Sequence, residues 1–282
     1  MKQFLKAILS VITLPYYCLL GVKKKKQYLI VPNGIGEITA VFMYAKEYMR
    51  KRDIEEIYIV INKNRSECAK ALETSSIHFI LVPGVYHKLM IAFGLSSSRR
   101  RMISRNTRFV DSWERQSRQC GNNFSQIKEL MGLEGQIDEF SCQKDKMLSE
   151  PAGKIFFNPY ARTIEGVGFQ VFEDVARKLS KKYKCYTFVN NNQKGIEGTV
   201  PLKCDLKQAM AEVKNAKCLI GVRSGFIDLM SISMSRIICL YPKMGNAESF
   251  FSFKYCDWNS SILEHSIQED DIVEKICKEA EG

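Results

Sequence analysis

Short apolar runs return along this chain at intervals of roughly 20 to 30 residues, and that cadence constrains the fold more than any other feature. The runs QYLIVP (27–32), IYIVI (57–61) and IHFILV (77–82) are too short for buried helices and do not alternate with polar residues. Such runs suit strands covered on both faces. Helical periodicity fills the gaps, most clearly over 38–51, so the first half reads as parallel β-α-β units. A second series follows, with strands over 154–158 (KIFFN), 185–189, 218–222 and 237–241 (IICLY). Helices are expected over 168–182 and 206–214, and another opened by Ser224. Between the two series the pattern fails: 96–118 carries Arg99, Arg100, Arg101, Arg105 and Arg108 and reads as a mobile basic loop. A short helix near 124–131 and a polar connection over 139–153 then set the expected boundary. The predicted organisation is a front segment 1–26, an α/β domain 27–150 and a second α/β domain 151–282.

The composition narrows the function. A net charge of +11 on 282 residues calls for a polyanionic partner: nucleic acid, phospholipid headgroups or a phosphorylated substrate. Nucleic acid is disfavoured, because the arginine-rich stretch has only Phe109 and Trp113 beside it to stack on bases. The ten cysteines include no C-x-x-C pair, which fits reduced thiols in a cytosol and argues against a zinc site. The three histidines, His78, His87 and His265, have no partner at metal or triad spacing.

The front segment has an uncharged run from Ala7 to Val22, broken by Pro15 and closed by Lys23 to Lys26. It is shorter than the roughly 20 residues that span a bilayer, and four lysines stand where a signal peptide would have its cleavage site. A segment lying in the membrane interface fits better, with Tyr16 and Tyr17 at headgroup depth and the lysines against anionic lipid. The competing reading is a first helix packed on the protein's own core. The membrane reading places the protein in the cytoplasm, peripheral at the inner face of the cell membrane.

Three expected strand ends carry unusual residues. Asn33-Gly34-Ile35-Gly36-Glu37 places two glycines and a carboxylate after the first strand; Asn158-Pro159-Tyr160-Ala161-Arg162-Thr163 follows the first strand of the second series. Arg223-Ser224-Gly225 puts a guanidinium, a hydroxyl and a bare N–H at the head of a helix, with Asp228 in its first turn. In open parallel sheets ligands bind outside the carboxyl ends of the strands, where helix N-termini favour anions. The last two turns suit a phosphate or diphosphate. A dinucleotide fingerprint is incomplete, no Walker loop occurs, and Ser224 lacks the G-x-S-x-G frame of a hydrolase. For Glu37 the competing reading is a first-turn carboxylate favoured by the helix dipole, and for Arg162 and Arg223 an ordinary ion pair.

Taken together, these turns resemble those of the two-domain glycosyltransferases of the GT-B fold, especially the heptosyltransferase-like group and related bacterial polysaccharide transferases. The group's first Gly-Asp turn corresponds to Gly36-Glu37, and its Pro-Gly-Ala-type turn to Asn158-Pro159-Tyr160-Ala161-Arg162. Its late I-G-x-D-[ST]-G-x-x-H segment corresponds to Ile220-Gly221 through Asp228, with Arg223 at the family's aspartate and Asp228 at its histidine. The resemblance implies two Rossmann-like doubly wound parallel-sheet domains facing across a cleft.

It also implies a glycosyltransferase that moves a sugar from a nucleotide-diphosphate sugar to a membrane-linked glycan or polysaccharide acceptor, inverting and without a metal, since no D-x-D pair is present. The diphosphate would meet Arg162, Thr163, Arg223, Ser224, Gly225 and Asp228; Asn33, Gly34 and Gly36 would offer backbone to the cleft. Glu37 would be the base. Arg99, Arg100, Arg101 and Arg105 would face the acceptor or lipid headgroups. No cofactor is implied. The alternative is a non-catalytic basic protein, binding membrane or nucleic acid on a degenerate transferase fold.

Overall fold

The structure is a computed structural model that describes residues 26–31, 34–88, 107–109, 122–133, 152–161, 167–233, 235–242, 251–258 and 261–282. The front segment up to Lys25 and Asn33, Arg99, Arg100, Arg101, Arg105, Arg162 and Thr163 lie outside the described residues. The chain divides into two compact units, Met1–Gly135 and Gln136–Gly282. The residue-150 boundary expected from composition falls outside the described residues.

In the first unit, β1 (Lys26–Ile30), β2 (Glu56–Asn62), β3 (Ile77–Val82) and β4 (Thr107–Phe109) form one sheet in the order β3-β2-β1-β4. All three pairings are parallel. Leu29, Ile57, Ile59 and Ile61 are sealed from solvent, as a strand buried on both faces requires. Helix α1 (Ile35–Arg52) follows β1, and α2 (Ser66–Leu72) follows β2 after a 3-10 turn at Lys63–Arg65. Helix α1 ends at Asp53, whose left-handed backbone (φ 51°) closes the last turn. Helix α3 (Asn123–Leu130) packs beside α1, its first turn capped by the Asn122 side chain accepting from Phe124 N at 2.9 Å. β4 corrects the loop expected over 96–118: its three residues pair with β1, a contact that no apolar run announces.

The second unit holds six parallel strands, where four were expected from apolar runs. They are β5 (Ala152–Asn158), β6 (Lys184–Phe188), β7 (Val200–Leu202), β8 (Ala216–Val222), β9 (Ile237–Tyr241) and β10 (Ile262–Ser266), in the order β10-β9-β8-β5-β6-β7. The two unexpected strands, β7 and β10, are the edges, where partial exposure lets polar residues in. Helices α4 (Phe169–Leu179), α5 (Leu206–Lys214), α6 (Gly225–Met230) and α7 (Ile272–Glu281) complete the unit. α4 buries Phe172, Val175, Ala176 and Leu179, spaced to form one stripe, against a core that includes Phe157, Ile220 and Leu240. α5 begins with a reciprocal cap: Asp205 accepts from Gln208 N at 2.8 Å, and the Gln208 side chain accepts from Asp205 N at 3.2 Å.

Both orders have the same meaning. In each sheet the chain builds outward from one strand, then returns to that strand's other side: to β4 beside β1, and to β8 beside β5. The return makes a topological switch point, and ligands in such sheets bind outside the carboxyl ends of the strands that flank it.

Candidate functional site

The first switch point is flanked by β1, whose carboxyl end leads through Val31 to Gly34 and α1. Glu37 is buried, and its Oε2 accepts from Gly34 N at 3.0 Å, closing the first turn of α1. A Cβ at Gly34 would come within 2.2 Å of that oxygen, so the glycine makes room for the carboxylate to fold back. The sequence left Glu37 open between base and first-turn carboxylate; the structure places it in a capping bond. His87, beyond β3, is fully buried, with Nε2 2.9 Å from Val31 O. A carbonyl only accepts, so Nε2 carries the proton, and Nδ1 is buried with no hydrogen-bond partner among the described residues. Burial holds this imidazole below its ordinary pKa.

The second switch point lies between β5 and β8, where Asn158 pairs in register with Gly221. The two strands are close enough that a Cβ on Gly221 would stand 2.9 Å from Asn158 O and 2.7 Å from Ile227 Cδ1. Asn158 then closes its own turn, with Nδ2 donating to Tyr160 O at 3.2 Å. Past β8, Ser224 is extended and caps α6, its hydroxyl accepting loosely from Ile227 N at 3.5 Å. Ser224, Gly225 and Phe226 are half-buried.

Arg223 and Asp228, expected at the diphosphate, point inward instead. Both are almost fully buried, and Asp228 Oδ1 pairs with Arg223 Nη2 at 2.7 Å. Arg223 also donates from Nε to Phe251 O (2.8 Å) and from Nη1 to Ser224 O (3.1 Å), and lies over the Phe253 ring at 4.4 Å. Burial works against the guanidinium's charge, but Asp228, Tyr241 and Cys239 around it together outweigh that, leaving its pKa above the ordinary value. The two positions at which the chain departs from the resembled pattern are thus in contact.

The brace extends to residues that no motif marked. Tyr241, at the end of β9, donates its buried hydroxyl to Glu264 Oε1 on β10. Glu264 also accepts from Ser252 Oγ (2.7 Å) and Phe253 N (2.9 Å). Trp258 is fully buried, donating from Nε1 to Ser231 Oγ at 2.9 Å, while that hydroxyl donates to Asp228 O at 2.6 Å. Residues 251–258 are therefore fastened to the turn after β8, to the residue that ends α6 and to β10 together. A lone Glu in an edge strand gives no sequence signal of this. Burial also pushes up the thiols, Cys218 to about 12 and Cys68 and Cys185 to about 11, which marks them as inert core residues. Among the described residues no group of three His, Cys, Asp or Glu is placed to hold a metal. No described helix is long and apolar enough to cross a membrane.

No family model and no curated protein matches the chain. Solved structures do. A glycosyl transferase of family 9 from Veillonella parvula DSM 2008 matches with a TM-score of 0.59 at 13% identity, over 92% of this chain and 90% of its own. ADP-heptose lps heptosyltransferase II of E. coli matches at 0.60 and 12% identity, over 90% of this chain and 97% of its own. E. coli heptosyltransferase WaaC, solved with ADP, matches at 0.61 and 11% identity, over 90% of this chain and 99% of its own. The fold is GT-B. At these identities the likeness is one of fold, and it extends over both units. The GT-B reading drawn from short turns is thus met by two parallel sheets, each with a switch point.

Proposed function

We propose that the protein is a glycosyltransferase that takes a sugar from a nucleotide-diphosphate donor and passes it, with inversion, to a membrane-linked glycan acceptor. The observation that carries this reading is topological: the turns after β1, β5 and β8, singled out by their chemistry, all follow strands that flank a switch point. The donor diphosphate meets the half-buried Ser224-Gly225 turn, with Arg162 and Thr163 as its charged and hydroxyl partners. Arg223 and Asp228 act as the brace that holds this turn in place. Donors fixed in advance at the leaving diphosphate stabilise the charge that develops there, so the reaction is assigned no metal. Glu37 leaves its capping bond to take the acceptor proton. The front segment, Lys23 to Lys25 and the arginines of 99–105 hold the enzyme to the cytoplasmic face of the membrane that carries the acceptor; Lys26, expected among the membrane-facing lysines, is instead the first residue of β1 and pairs with Glu56.

The test is a thermal-shift screen against UDP, GDP, ADP, CMP and TDP, since a ligand that binds only the native state raises Tm. ADP belongs in the set because WaaC was solved with it. The control is Ser224→Ala, which touches the turn but leaves the buried pair intact. A shift with one nucleotide that shrinks in this variant supports the donor site; no shift up to millimolar nucleotide refutes it and favours a degenerate, non-catalytic fold. For the base, Glu37→Gln keeps an oxygen for Gly34 N while removing the proton acceptor. Loss of transfer with unchanged Tm supports the role, and full retention of transfer removes it.

A further inference from the structure

Among the described residues, five large apolar side chains are exposed, and three of them lie within 81–86: Leu81 at 40%, Val85 at 68% and Tyr86 at 45%. β3 is the edge of its sheet, and these residues stand at its carboxyl end and in the helical turn that follows. The turn is held firmly. His87 is buried under it and bonded to Val31 O, and Gly84 lies against Asn62, to whose side chain an added Cβ would come within 3.1 Å. The apolar tips are therefore presented on a fixed base.

Within the two segments that flank them the charge has one sign. Asn62 pairs with Val82, so Lys63 and Pro83 leave the sheet side by side, and the 3-10 turn at Lys63–Arg65 packs beside β3. Lys63 and Lys88 are exposed, and neither 62–66 nor 77–88 contains an acidic residue; Glu67 is the first after Arg65. Exposed apolar and aromatic tips among lysines match a bilayer interface, where tyrosine sits at headgroup depth and lysine meets anionic lipid. The geometry points to a lipid-docking surface formed by Leu81, Val85 and Tyr86 with Lys63 and Lys88, and its partner is an anionic membrane. This adds a further contact to the membrane arm of the proposed function; it rests on that reading for its purpose, not for its binding.

The experiment is co-sedimentation of the full chain with phosphatidylcholine vesicles, with and without phosphatidylserine, and no nucleotide present. Wild type is expected to bind the anionic vesicles. Val85→Asp/Tyr86→Asp should weaken that binding by about tenfold or more, having lost the apolar tips and gained like charge. Lys63→Gln/Lys88→Gln should weaken it by about fivefold per charge on anionic vesicles, with no change on neutral ones. These four residues are exposed, so circular dichroism and the nucleotide-induced Tm shift are expected to be unchanged; that shift reports on the donor site separately. No vesicle binding by wild type overturns the proposal. So does wild-type binding by either double variant, which would give attachment to other parts of the chain. A wild-type dimer in solution that Val85→Asp/Tyr86→Asp dissociates also overturns it, assigning the patch to a second copy.

Discussion

Replacing Arg223 with alanine removes a charge from the interior and leaves its partner behind. The variant loses the donors to Phe251 O and Ser224 O, the contact with Asp228 and the stacking on Phe253. Asp228 is then a buried carboxylate without its cation. Breaking a buried pair in this way costs about 3 to 5 kcal/mol. For a unit the size of Gln136–Gly282, each kcal/mol shifts Tm by about 2 to 4 °C, so a fall of roughly 6 to 20 °C is expected. The discriminating measurement adds a second substitution. Arg223→Met/Asp228→Leu removes more native groups, yet should be more stable than Arg223→Ala because no lone charge remains. Urea midpoints of the three proteins decide it. An Arg223→Ala variant within about 1 kcal/mol of wild type, or a double variant less stable than the single, would refute the brace and return Arg223 to the role of a simple phosphate ligand.

Gly221→Ala should cost about 1 to 3 kcal/mol by overpacking β5 against β8, and Ile227→Val in that background should restore only part of it, because Asn158 O cannot move aside; urea midpoints test both. The His87 imidazole has a folded pKa below its unfolded value, so the unfolded chain binds the extra proton first and stability falls as pH drops below about 6.5, by up to about 1.4 kcal/mol per unit until the folded pKa is reached. Comparing urea midpoints at neutral and acidic pH should show a smaller drop in His87→Gln than in wild type. Tyr241→Phe removes one of three donors to Glu264 and should cost about 1.5 to 3 kcal/mol, read as a lower Tm.

The parts of the fold legible in the sequence were those in which burial on both faces forces an apolar run. β3, β9 and α5 have the predicted bounds, and the other expected strands differ by a few residues at their ends. β7 and β10 were missed because an edge strand has one open side and tolerates Pro201, Glu264 and His265. β4 was missed because three residues inside an arginine-rich stretch have no period to read. At the candidate site the turns were found, since glycine next to a strand end is visible locally. The direction of Arg223 was not: it depends on Phe251, Phe253 and Asp228, and the first two are joined to it only by the folded chain.

Glu264 gives that long-range dependence an order in time. The turn at 223–225 leaves the ribosome well before the carboxylate that fastens residues 251–253 over Arg223. At about 5 to 20 residues per second, the intervening stretch takes a few seconds to synthesise. During that interval β5, β6 and β8 are already available to pair, while the guanidinium has Asp228 and no lid. A chain ending before β10 would still carry β5 to β9 and would lack the carboxylate that fastens residues 251–253.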